Sequence, residues 1–428
     1  MNPRTVQDAE IAAWVGLDWA DKEHALCLEV SGSSSRESSI LKQTPQTLHA
    51  WVAQLRARFG GRTVALALEQ SRGAVIYALM RYDFLLLYPI PPLSLASYRK
   101  SFANSGAKND PSDAALLLEL IRLHRDRFHA WAPDDTATRQ LRLLVEYRRR
   151  CVDGRTRLIE RITSLLKTYY PQALEWAGAL DHAAACDFLE QWPSLPALEQ
   201  ASAKHLQPHY GKGGRAKPGL AAWMKEIRAA RTLTEDSAVV LPSQLMVQAA
   251  VAQVRLLNAN IAQFEQHIQA LFHQHPDRAL FEGLPGAGPA LAPRLLAAFG
   301  TDRERFQQAQ QIQQLSGIAP VTEQSGKTRY VHWRIGCPRF MRQTFHEFAT
   351  HSIARCSWAR AYYQLQRDRG KQHHAAVRAL AYKWMRILFR CWKDRVPYDE
   401  TLYLSSLERH GSPLHALLTR STSIKACA

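Results

Sequence analysis

The sequence predicts an α/β domain followed by mostly helical ones, an α/β plus α chain, and three observations carry that prediction. Short apolar runs that end in carboxylates open the chain. Two long stretches with apolar residues at helical spacing fill its middle. A basic, aromatic-rich helical segment occupies its last third. With 428 residues, two or three domains are expected. A hydrophobic content of 46% supports a real core. The net charge of +17 and the pI near 9.7 point to a polyanionic partner, nucleic acid before membrane surface. The seven cysteines form no C-x-x-C pair, which argues for a reducing compartment and against a zinc ribbon or disulfide framework. The polar first ten residues and the absence of a run of about 18 apolar residues predict a cytoplasmic protein with no membrane partner.

In order, strands are expected at 11–18, 24–30 and 36–42, a helix at 45–59, then strand 63–69, helix 72–81, strand 84–90, a polar loop through Pro91 and Pro92, and helix 111–124. Three hairpin strands followed by βα units make a mixed sheet, and this is the order of the RNase H fold. In that fold the first and fourth strands are neighbours, so Asp18 and Glu69 would meet. Asp110 and Asp113, three residues apart on one helix face, would join them. Four converging carboxylates need cations to neutralise them, and their hard oxygens suit divalent metal. Singly, each has a plainer reading: a strand-end Asp is a common turn residue, and Asp110 before Pro111 makes a good N-cap. Charge in residues 1–135 balances, fifteen basic against fifteen acidic, so the excess lies downstream.

A long helix is expected at 134–170, with Arg148, Arg149, Arg150, Arg155, Arg157 and Arg161 beside its apolar seam. These arginines read equally as a solvated coiled-coil face or a phosphate-contacting stripe. A helix at 243–274 could return antiparallel, making a stalk with an insert at 171–240. The basic loop Gly211–Arg215 lacks the spacing of a nucleotide-binding loop. At 283–290, Gly-Leu-Pro-Gly-Ala-Gly-Pro-Ala resembles a helix-hairpin-helix turn, whose glycines would admit a phosphate. An ordinary αα turn reads as well. Segment 327–395 holds sixteen Lys/Arg and three acids, which is +13 of the net charge. Arg378, Lys383, Arg386 and Arg390 on helix 374–393 are candidate nucleic-acid contacts.

These residues resemble the IS110 family of insertion-sequence transposases, the DEDD or bridge-RNA-guided recombinases related to the pilin-gene invertases. Gly16-Leu17-Asp18 resembles the opening of the family's RNase H-like domain, and Leu68 to Gly73 its glutamate motif. Lys108-Asn109-Asp110-Pro111-Ser112-Asp113-Ala114 resembles its K-T-D-x-x-D-A signature. Leu315 to Pro320, Ser325-Gly326-Lys327, Gly336 and Arg342 resemble its C-terminal transposase domain. Cys337-Pro338 departs from the Gly-Asn pair common there. The resemblance implies that Asp18, Glu69, Asp110 and Asp113 hold Mg²⁺ and that Ser325 is the nucleophile that links covalently to DNA. Lys327, Arg329, Arg334 and Arg342 would neutralise phosphate. It further implies DNA and a guide RNA as partners. Acids and serine would meet between subunits of a homo-oligomer, a dimer of dimers. The expected domains are 8–130 (RNase H-like), 131–275 (stalk with insert), 276–400 (transposase domain) and a tail at 401–428. The alternatives are a water-using RNase H-like junction nuclease and a non-catalytic nucleic-acid-binding regulator.

Overall fold

A computed structural model describes residues 10–69, 71–102, 110–211, 219–326 and 328–418, with the side chains of 102, 110 and 111 outside that description. Lys108, Asn109, Lys327 and Lys212–Arg215 therefore lie outside the described residues, as do residues 419–428 of the tail. The chain divides into two compact units, residues 1–134 and 135–428.

In the first unit, strands β1 (Ala13–Asp18), β2 (Glu23–Val30), β3 (Arg36–Lys42), β4 (Val64–Leu68) and β5 (Leu85–Pro89) form one mixed sheet in the order β3-β2-β1-β4-β5. β1 runs antiparallel to β2 and parallel to β4, as the hairpin-then-βα reading requires. Alternation sorts the side chains. Ala13, Val15 and Leu17 of β1 and Val64, Leu66 and Leu68 of β4 pack on one face, under helices α1 (Pro45–Phe59) and α2 (Ala74–Leu79). Burying each such Val or Leu contributes about 1.5–3 kcal/mol. Ala65 and Ala67 of β4 face the other way, toward Leu95 of α3 (Pro92–Phe102) and Leu117, Leu120 and Ile121 of α4 (Asp110–His124).

α3 corrects the expectation of a loop. Pro92 is its first residue, where a missing N–H costs nothing, so the Pro-Pro pair starts a helix instead of preventing one. Glu29, 2% exposed, pins the α4 side of the sheet. It accepts from Arg36 Nε at 3.1 Å and from Arg122 Nη1 at 2.5 Å.

The second unit is built on two long helices, α5 (Thr136–Tyr169) and α8 (Ser237–Gln274), which pack along each other. Their ends lie in separate cores. At one end Ile162, Leu166 and Tyr169 of α5 and Val247, Val251 and Val254 of α8 pack against the insert, including α6 (Ala183–Gln191) and α7 (Leu220–Ala229). At the other, Leu141, Val145, Ile268 and Phe272 join the core of the C-terminal helices. On α5 no residue between Val145 and Ile162 is fully buried.

α8 starts six residues earlier than expected, through Pro242 near its N-terminus. It also corrects the reading that no segment is apolar enough to cross a membrane. By length and composition alone this helix would qualify, with a mean hydropathy of 1.3 over 18 residues, because Arg255 is its only charge before Glu265. Its seam is nonetheless taken up by the two cores.

The C-terminal core gathers α9 (Arg278–Glu282), α10 (Gly288–Phe299), α11 (Ala309–Leu315), α12 (Arg339–Arg355), α13 (Ser357–Asp368), α14 (His373–Asp394) and α15 (Glu400–Arg409). Trp358, Trp384 and Trp392 are fully buried in it, as are Phe299, Phe345 and Phe348. Strands β6 (Val321–Ser325) and β7 (Thr328–His332) form a separate antiparallel hairpin.

Candidate active site

β1 and β4 pair in parallel register, Leu17 beside Leu68, so the next residues, Asp18 and Glu69, stand side by side at the carboxyl ends of adjacent strands. Leu17 and Leu68 point to the α1 side. The alternation within β1 therefore turns Asp18 to the α4 side, with Gly16, while Glu69 follows the last residue of β4. α4 comes unusually close there. A Cβ on Gly16 would lie 1.8 Å from the carbonyl oxygen of Ala114 and 2.7 Å from the amide of Leu118, so only glycine lets the helix rest on β1. This contact brings the start of α4, with Asp113, to the strand end that carries Asp18.

Asp18 is 9% exposed and Asp113 only 2%. Arg99 of α3 holds Asp113, with Nε 2.8 Å and Nη2 2.6 Å from Oδ1. A buried carboxylate requires such a partner, and here it is a guanidinium. Asp110 begins α4, and its side chain lies outside the described residues. Among the described residues no three His, Cys, Asp or Glu side chains are grouped to hold a metal ion. By donor chemistry alone, the carboxylate oxygens of Asp18, Glu69 and Asp113 are of the hard kind that divalent cations take. Arg99 supplies the positive charge at Asp113 in this arrangement. Neither Gly16 as a spacer nor Arg99 as a partner was expected from the sequence. The signal for Gly16 was there, a glycine inside an otherwise apolar strand. The signal for Arg99 was hidden by reading α3 as a loop.

Ser325 is exposed at the tip of the β6–β7 hairpin, paired with Thr328. An isolated two-stranded hairpin is marginal by itself. This one is anchored at its base by Trp333, whose ring is covered by Arg378 at 3.9 Å and Arg342 at 5.3 Å. Arg342 Nη2 also donates to the carbonyl oxygens of Arg334 (2.5 Å) and Ile335 (3.1 Å), so it braces the irregular segment that follows the hairpin. Burial pushes the Arg378 guanidinium below its ordinary pKa, and the neighbouring Arg342 charge adds to this.

The other basic candidates differ in setting. Lys383 is half-buried over the rings of Tyr362 (5.2 Å) and Tyr403 (5.7 Å), and burial, with Arg386 nearby, lowers its pKa. Arg329 and Arg386 are exposed. Arg390 is exposed and pairs loosely with Asp394 at 3.4 Å. Arg334 is half-buried, and its Nε has no hydrogen-bond partner among the described residues.

The 283–290 turn does not use its glycines alike. A Cβ on Gly286 (φ +85°) would meet the backbone of His351 and Ser352 at 2.8–2.9 Å, so this glycine seats the turn on α12. Gly288 has open space around it.

Residues 15–171 match the DEDD transposase model of IS110, described as "Transposase", and residues 278–364 match "Transposase IS116/IS110/IS902 family". The chain is similar to the mini-circle putative transposase for IS117 of Streptomyces coelicolor, 26% identical over 91% of this chain and 96% of the relative. It is also similar to the insertion element IS116 uncharacterized 44.8 kDa protein of Streptomyces clavuligerus, 26% identical over 89% and 95% of the two chains. The IS900 uncharacterized 42 kDa protein of Mycobacterium paratuberculosis is likewise 26% identical, over 90% and 96%.

Proposed function

The chain belongs to the IS110 family of transposases, and from that premise we propose that it cuts and rejoins the DNA of an insertion sequence through a covalent bond between Ser325 and the DNA. The observation that supports this reading is the parallel register of β1 and β4, Leu17 beside Leu68, which brings the strand ends at Asp18 and Glu69 next to each other. In the proposal Asp18, Glu69, Asp110 and Asp113 hold Mg²⁺. When bound, the ion supplies Lewis acidity and charge neutralisation at the scissile phosphate.

The protein's own residues do the rest. The Ser325 Oγ–P bond forms as the bond from phosphorus to the 3′ oxygen breaks, and the 3′ oxygen leaves as a hydroxyl. A second 3′-hydroxyl reverses the exchange on a new partner, and the serine hydroxyl is restored. One phosphoester replaces another at each stage, so rejoining needs no outside energy. The exposed position of Ser325 at a hairpin tip supports access to DNA. Arg329, Arg334, Arg386 and Arg390, with Lys327, Arg342, Arg378 and Lys383, would neutralise backbone phosphates. The basic excess and the family suit DNA and a guide RNA as partners of a homo-oligomeric, dimer-of-dimers assembly.

The test is to trap the reaction on end-labelled DNA and denature it. Wild type should keep label on protein, and Ser325→Ala should keep none and fail to recombine. Cleavage without an adduct would favour a water-using nuclease. Wild-type recombination by Ser325→Ala would end the serine proposal. Copurifying RNA, sequenced from the purified full-length protein, tests the guide: random cellular fragments in place of one discrete species would remove it.

A further inference from the structure

The β6–β7 hairpin and the segment after it expose four large apolar side chains within six residues. Tyr330, Val331, Trp333 and Ile335 are 60, 61, 53 and 87% exposed. Single exposed apolar residues are ordinary, but a contiguous group marks a surface that something covers. Segment 321–335 also carries Lys327, Arg329 and Arg334 against one acid, Glu323. A cover that is flat, apolar and joined to anions suits both features.

The register sorts these side chains. Ser325 pairs with Thr328, Glu323 with Tyr330 and Val321 with His332. Paired residues, and those two places along, share a face of a two-stranded sheet. Ser325, Glu323, Tyr330 and His332 therefore stand on one face, with Gln324, Arg329 and Val331 on the other. Tyr330 is the diagonal neighbour of Ser325, roughly 7–8 Å away. The Tyr330 ring stacks with that of His332, centroids 6.1 Å apart and planes inclined by 23°. His332 Nε2 in turn lies 3.2 Å from Glu323 Oε2, so the acid of the hairpin steadies the second ring and is itself engaged. The outcome is two near-parallel rings, exposed to solvent, on the face of the serine and within a basic segment.

We infer that Tyr330 and His332 form a stacking platform for unpaired bases of the DNA strand whose phosphate meets Ser325. Every base has a π-face, so such a platform holds a single strand without reading its sequence, while cations track the phosphates. A base on Tyr330 fixes the adjoining phosphodiester beside the serine, because one nucleotide spans the gap between the two side chains. A base stacked inside a duplex has no free face, so the platform favours a strand already opened. The inference rests on the Ser325 proposal only for the choice of DNA over other nucleic acid.

The experiment irradiates the full-length protein with single-stranded oligothymidylate carrying one 5-iododeoxyuridine, which cross-links to an aromatic ring stacked on it. The cross-link should map to the tryptic peptide Tyr330–Arg334, and to Tyr330 within it. Tyr330→Trp should keep it. An unlabelled strand should compete at least tenfold better than an abasic strand of equal length, which keeps the phosphates and lacks the bases. The same sequence in a duplex should cross-link at least tenfold less. Cross-links that map only elsewhere, or equal competition by the abasic strand, would overturn the platform. An RNA of the same sequence that cross-links at Tyr330 while DNA does not would overturn the assignment to DNA. Ser325→Ala should cross-link like wild type, since stacking needs no cleavage. A serine–DNA adduct without the Tyr330 cross-link therefore sinks the platform alone, and the cross-link without an adduct sinks the serine alone.

Discussion

Arg99 and Asp113 form the pair on which the acid site turns. Asp113 is buried, and its carboxylate is neutralised by a guanidinium from a helix that the Pro-Pro pair disguised. Removing one partner of a buried pair leaves the other charged and unsupported, at a cost of about 3–5 kcal/mol. Arg99→Gln should therefore unfold at a clearly lower temperature than wild type in EDTA. If Asp113 is a metal ligand, Mg²⁺ replaces the lost positive charge, and the variant should regain more thermal stability than wild type does. Equal Mg²⁺ responses, measured by thermal denaturation, would make Asp113 a structural partner of Arg99 and reduce the acid set. Reading from sequence worked for the strands themselves: two short apolar runs were expected as neighbours, and β1 and β4 pair with Leu17 beside Leu68. It failed where a partner arrives from a distant element, because nothing local to Asp113 announces Arg99.

At the scale of elements, Asp135 ties the start of α5 to the end of α10. It caps α5 by accepting from Thr138 N–H at 2.9 Å, and it also accepts from the hydroxyls of Thr138 (2.5 Å) and Thr301 (2.7 Å). Thr138 Oγ1 lies 2.9 Å from His275 Nε2, while His275 Nδ1 accepts from Asp277 N–H at 3.1 Å. That leaves Nε2 to carry the proton, and a chain of donors runs from residue 277 to Asp135. Partial burial alone would raise the Asp135 carboxyl, but these hydrogen bonds win and hold it at about 2 against an ordinary 3.8. A depressed carboxyl stabilises fully above its unfolded pKa and loses that effect as pH falls through the folded one. Asp135→Ala should thus cost about 1 kcal/mol near neutral pH, the worth of a cap. The gap from wild type should close between about pH 4 and 2. A gap in denaturation midpoints that stays constant across that range would refute the assignment. The long helices were legible from the apolar spacing, whereas the cap at Asp135 was not singled out. The β6–β7 hairpin was not, because its strands are short, polar and exposed on both faces and carry no periodic signal.

At the scale of the whole chain, charge is unevenly shared: residues 1–135 are balanced, while 327–395 hold +13. Many of those cations do structural duty, as Arg342 and Arg378 do on Trp333, so fewer contacts are free for phosphate than the count suggests. DNA binding by the full-length protein should still weaken steeply with salt, by about a thousandfold from 50 to 200 mM if six or more phosphates are neutralised. Arg386→Gln, at an exposed position, should reduce the salt slope by about one. Salt-independent binding, measured by fluorescence anisotropy, would remove the electrostatic reading.

The two long helices also have a mechanical side. Each end is clamped in its own core, and the stretch of α5 between Val145 and Ile162 is held by polar ties such as Arg155 to Asn258 at 2.8 Å. α5, with 34 residues, is a strut about 50 Å long, so a bend of about 10° at its waist swings the far core by about 4 Å. Gly154 sits in that waist, where a glycine costs a helix about 1 kcal/mol against alanine. A Cβ there would meet only Leu257 Cδ1 at an ordinary 3.6 Å. Gly154→Ala should therefore raise stability by about 0.5–1 kcal/mol and slow amide exchange through 146–161, stiffening the joint. If the strut works as a lever, the stiffer protein should bind DNA as before yet turn over more slowly; unchanged turnover in a protein whose exchange has slowed would make it a spacer.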